Sequence, residues 1–90
     1  MPKRKAKYGK YYSEEAHTER LNELLNWAKS NEEITNCLKR ETKMKATKLL
    51  REEGIRRFGV RSYVANEYAE IIYAKLKTQR PLYTKYGYLE

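Results

Sequence analysis

Two places in the sequence carry the same opening signal, a capping side chain followed by two glutamates: Ser13-Glu14-Glu15 and Asn31-Glu32-Glu33. A Ser or Asn side chain accepts from the free N–H groups of a first helical turn, and carboxylates in that turn complement the helix dipole. After each signal, apolar residues recur at three- and four-residue steps: Leu21, Leu24, Leu25 and Ala28, then Ile34, Cys37 and Leu38. Such a period buries one face of a helix. The pattern predicts one helix from about Glu14 to Ala28, with Trp27 at the edge of its stripe, and a second opening at Glu32.

Where the second helix stops is the harder question. At ~100° per residue, Ile34, Cys37 and Leu38 share a face, whereas Ala46, Leu49 and Leu50 centre ~120° away from it. One straight helix from Glu32 to Glu53 would leave one group exposed, and a single curved helix is the alternative to a break. A break between Lys39 and Thr42, with Thr42 capping a new helix, lets both groups turn inward, and we adopt it although no Gly or Pro marks it. The third helix is expected to end at Glu53, with Gly54 left-handed and Ile55 folding back on Leu50 or Leu49. Ile55–Arg61 then reads as an Arg-rich loop. Ser62 is expected to cap a fourth helix reaching about Lys77, with Ala65, Tyr68, Ala69, Ile72 and Leu76 as its stripe and Ile71 widening it. Pro81 stops it.

The expected fold class is therefore all-α: a small four-helix domain with a helix-turn-helix-like pair formed by the second and third helices, and basic Tyr-rich tails. Residues 1–12 read as a flexible basic arm, 13–78 as the helical domain and 79–90 as a Tyr-rich C-terminal tail. Lys7-Tyr8-Gly9 recurs as Lys85-Tyr86-Gly87, and the two segments could pair as a ribbon. Leu89-Glu90 is given no structural role.

Charge is unevenly placed. The stretch Lys39–Arg61 holds nine Lys and Arg against three Glu and carries most of the chain's net charge of +8. Residues 13–38 are net negative. A helix that hides Ala46, Leu49 and Leu50 while showing Lys43, Lys45, Lys48 and Arg51 suits a polyanion, because each cation that neutralises a phosphate releases counterions. The expected nucleic-acid-binding residues are Lys39, Arg40, Lys43, Lys45, Lys48, Arg51, Arg56, Arg57 and Arg61, with Lys3, Arg4, Lys5 and Lys7 from the basic arm.

The favoured function is duplex DNA binding by a regulator or architectural protein, with the third helix in the major groove. Lysine-rich faces usually contact phosphates rather than read bases, and no Asn, Gln or Arg opens the third helix as a base reader. Structured RNA is the second reading, because six of the nine tyrosines lie in the two tails, where they could stack on bases. Those in the arm, Tyr8, Tyr11 and Tyr12, could equally pack back on the helices. An accessory subunit binding other proteins is the third reading, resting on the acidic first half. A homodimer or docking on a larger complex fits the short supply of core residues.

Several classes are set aside. Cys37 and His17 are the only residues of their types and there is no Asp, so neither a catalytic triad nor a Cys/His zinc site can be built within the chain. No cofactor, metal or enzymatic activity is expected. Cys37 reads as a buried structural thiol, His17 as a surface residue, and Glu52-Glu53 as partners of Lys48 and of Arg56 or Arg57. At 36% charged residues, and with no long apolar run, no membrane span and no secretory leader are expected, so an intracellular, cytoplasmic location follows. Lys and Glu enrichment with a single Gln and a single Cys resembles heat-adapted composition.

Overall fold

The structure, a computed structural model, describes residues 13–90. These form four helices, α1 (Glu14–Lys29), α2 (Glu32–Arg40), α3 (Lys43–Phe58) and α4 (Ser62–Thr78), then two short strands, β1 (Leu82–Thr84) and β2 (Gly87–Leu89). The domain is all-α apart from that hairpin.

Both opening signals act as expected. The Ser13 hydroxyl accepts from the Ala16 N–H at 3.2 Å, and the Asn31 side chain accepts from the Ile34 N–H at 3.0 Å. Leu21, Leu24, Leu25 and Ala28 of α1 and Ile34 and Cys37 of α2 are buried together, with Trp27 and Leu38 at the margin. The break between α2 and α3 is real and falls at Glu41 and Thr42. Glu41 is left-handed (φ 56°), its N–H bonds to Leu38 O, and the Thr42 N–H bonds to Cys37 O. This paired closure normally selects glycine at the left-handed position. Thr42 differs from expectation: its hydroxyl donates back to Cys37 O and leaves the first turn of α3 without a side-chain cap.

Helix α3 also runs a full turn further than its glycine suggests. Gly54 lies inside the helix, buried against α4, where a Cβ would stand 3.6 Å from Ala65 Cβ. The left-handed terminator is Gly59 (φ 67°), whose N–H bonds to Ile55 O. Packing explains the shift. Ala46, Leu50 and Gly54 make a seam of modest bulk at four-residue spacing, against which Ala65 and Ala69 of α4 can close tightly. Gly54 meets Ala65 while Lys43 meets Glu70, so α3 and α4 run antiparallel, and theirs is the most extensive helix pairing. Arg56 and Arg57 thus belong to a helix, not to a loop, and Ile55 points outward instead of folding back. Ser62 is the first residue of α4, and Arg61 holds the capping position.

The tail gives the largest departure. The ribbon forms within it, between Leu82–Thr84 and Gly87–Leu89, in the register Leu82↔Leu89, Tyr83↔Tyr88 and Thr84↔Gly87. The repeated segment in the arm lies outside the described residues. Leu89 is 1% exposed and part of the core. His17, expected at the surface, is buried: its Nδ1 lies 2.5 Å from the Tyr68 hydroxyl, and the Tyr86 ring stacks on it at 4.0 Å. The Tyr86 hydroxyl donates to Glu67, which also accepts from Lys85 Nζ at 2.6 Å. Those two hydrogen bonds hold the Glu67 carboxyl below its ordinary range, while burial and the Glu67 contact push the Tyr86 phenol up.

Candidate nucleic-acid interface

Ala46, Leu50 and Gly54 define the inner face of α3, and at ~100° per residue Lys48 lies diametrically opposite them. Lys45 and Lys48 are exposed and Arg51 is half-buried; their three-residue spacing makes a ridge obliquely across the outer face, ~9 Å long. Across the α2–α3 turn, Arg40 joins them, since Arg40 and Lys45 line one cleft together with Asn36 and Thr42. Among the described residues, Arg40, Lys45, Lys48 and Arg51 make no salt bridge. Met44 stands 88% exposed on the same face. Its position off the Ala46–Leu50 stripe was the signal, in the sequence, that it belongs outside.

The other expected residues are placed differently. Lys43 does not share the ridge: it reaches over α4, 3.0 Å from Glu70 and with its ammonium 5.8 Å from the centre of the Tyr73 ring. Lys39 is exposed on a different flank of α2, lining a shallow groove with Lys29 and Thr35. Arg56 and Arg57 close on Glu53. The Arg56 guanidinium donates to both Glu53 oxygens at 2.7 Å, and Arg57 Nε donates to Oε2 at 2.9 Å. Burial raises the Glu53 pKa, but the hydrogen bonds and charges of Arg56 and Arg57 outweigh it and hold the carboxyl below its ordinary value. Arg57 reaches on to Glu23 of α1 at 3.5 Å. These two arginines tie α3 to its own carboxylate and to α1. Arg61 is exposed where α4 begins. Lys3, Arg4, Lys5 and Lys7 lie outside the described residues.

Elsewhere on the surface, Tyr83 and Tyr88 face each other across the hairpin with ring centres 4.8 Å apart, and Tyr83 is 83% exposed. Among the described residues, no three His, Cys, Asp or Glu side chains gather as metal ligands, and no helix is long and apolar enough to cross a membrane. Comparison with protein-family models, curated proteins and solved structures finds no match.

Proposed function

We propose that this chain binds duplex nucleic acid, DNA in the first instance, through the outer face of α3 and the turn that joins it to α2. The observation that carries the reading is the set of cations that make no salt bridge among the described residues, Arg40, Lys45, Lys48 and Arg51, on adjoining surfaces of two short helices. A helix offered in this way can enter a major groove ~12 Å wide, with the preceding helix lying across the backbone. Lysines without an Asn or Gln among them favour phosphate contact over base reading, so an architectural role suits the face better than sequence-specific regulation.

Four phosphate contacts predict that log affinity falls with log salt at a slope of about −3.6 on B-form DNA. Fluorescence anisotropy with a mixed-sequence duplex measures this. The double reversal Lys45→Glu/Lys48→Glu should lower affinity by about 10- to 100-fold without changing thermal stability. Unchanged affinity in that variant would remove α3 as the contact surface. An absence of duplex binding at low salt would leave the protein-interaction reading. The exposed Tyr83–Tyr88 pair favours a second reading, single-stranded RNA stacking on the hairpin. It predicts that an unpaired oligonucleotide outcompetes the duplex and that Tyr83→Ala weakens its binding.

A further inference from the structure

Three polar or charged side chains are buried among the described residues: His17, Glu53 and Lys75. His17 bonds to Tyr68, and Glu53 is held by two arginines. Lys75 alone has neither a hydrogen bond nor an ion pair among the described residues, though it is only 6% exposed. Its stem is covered while its ammonium keeps access to water, since no buried side-chain nitrogen or oxygen among the described residues lacks a partner. The last turn of α4 favours a cation through the helix dipole, but no acceptor of that turn bonds the Lys75 ammonium.

Lys75 lines a groove of about 450 Å³ between the C-terminal ends of α1 and α4, walled on the third side by α2. That volume is in the range of small-molecule sites, roughly 300–1,000 Å³. Leu25, Leu38 and Leu76 supply its apolar walls, and Lys29 and Gln79 add donors at its polar side. None of its lining residues is acidic.

We infer that this groove is a binding site for a small monocarboxylate with an apolar body, its carboxylate on Lys75 and its body against the three leucines. A carboxylate would supply the counterion that Lys75 lacks among the described residues. Inorganic phosphate has no apolar body to set against the three leucines. The site is separate from the α3 ridge, so its occupancy does not depend on nucleic-acid binding.

Sub-micellar sodium octanoate titrated into isotope-labelled protein tests the site by NMR. The expected result is saturable shifts at Leu25, Leu38, Leu76 and Lys75, with n-octylamine failing to compete. Lys75→Met should weaken octanoate binding by at least about tenfold, and Lys75→Arg should retain most of it. If Lys75→Met does not fold, Leu38→Trp serves instead, filling the groove from α2 while keeping the lysine, and it should abolish the shifts. The inference is overturned if no saturable shift appears, if shifts map elsewhere, if Lys75→Met binds as tightly as the wild type, or if Leu38→Trp still binds.

Discussion

In the N-terminal part of α3 (up to Arg51), Lys45, Lys48 and Arg51 make no salt bridge among the described residues, whereas Lys43 reaches Glu70 of α4. In the second half, Arg56 and Arg57 close on a buried glutamate. Both halves are basic and both contain carboxylate neighbours, so composition does not separate them. Order along the chain does. Glu53 precedes Arg56 and Arg57 by three and four residues, the orientation in which an acid–base pair agrees with the helix dipole. Lys48 precedes Glu52 by four, the weaker order, and the expected Lys48–Glu52 bridge is not formed among the described residues. Burial reinforces the difference: Glu53 is 7% exposed, which withdraws its oxygens from water and makes the arginines its principal partners. Arg56 and Arg57 thus hold α3 in place, as Lys43 does at its start, while Lys45, Lys48 and Arg51 have no such partner among the described residues.

The contrast can be broken most sharply at Glu53. Glu53→Gln should destabilise the fold by about 2 kcal/mol, since hydrogen bonds to a charged group are each worth about 1.5–3 kcal/mol and two partly exposed arginines share this one. Lys48→Ala, on the outer face, should stay within ~0.5 kcal/mol of wild type. Chemical denaturation measures both, and equal losses would mean that the two halves are held alike.

Acid should reveal the same division. Glu53 and Glu67 both have folded-state pKa values held below the ordinary 4.5. Their stabilisation is therefore complete above pH 4.5 and is lost as pH falls through the folded-state values. Thermal unfolding followed from pH 7 down should show this loss, and Glu53→Gln should flatten part of it. A curve for Glu53→Gln parallel to wild type would show that Glu53 does not contribute.

The smallest expected effects are at the glycines that bracket the second half. Gly54→Ala should stabilise by about 0.5–1 kcal/mol, because Gly54 is helical and the added methyl meets Ala65 at ordinary contact distance. Gly59→Ala should destabilise by about 1 kcal/mol, because its φ of 67° disfavours a Cβ. Opposite signs would return the end of the helix to Gly54.

Much of the helical plan was legible because its signals are local. Ser13 and Asn31 bond within their own first turns, and the stripes of α1 and α4 need only the period of a helix to be recognised. The ridge of Lys45, Lys48 and Arg51 follows from the position of Ala46 and Leu50 by the same rule. Lys43 falls on the Ala46–Leu50 side by that rule too, whereas its partners Glu70 and Tyr73 lie far along the chain and were not legible. Gly54 was misread because a glycine that allows close helix packing has the same letter as one that ends a helix. His17 was read as a surface residue because Tyr68 and Tyr86 reach it only in the folded chain.

What this sequence determined by itself is where three of its helices begin, which faces of the helices turn inward and how much positive charge one stretch carries, since caps, periodicity and charge all act over a few residues. The tertiary structure decided the rest: that Glu41 adopts a left-handed turn without glycine, that α3 continues through Gly54, and that Leu89 is a core residue. It also decided which cations have carboxylates. The path of α3 through Gly54, the burial of Leu89 and the Lys43–Glu70 pair depend on contacts between segments distant in sequence, and the energy of such a contact exists only once the chain has closed on itself.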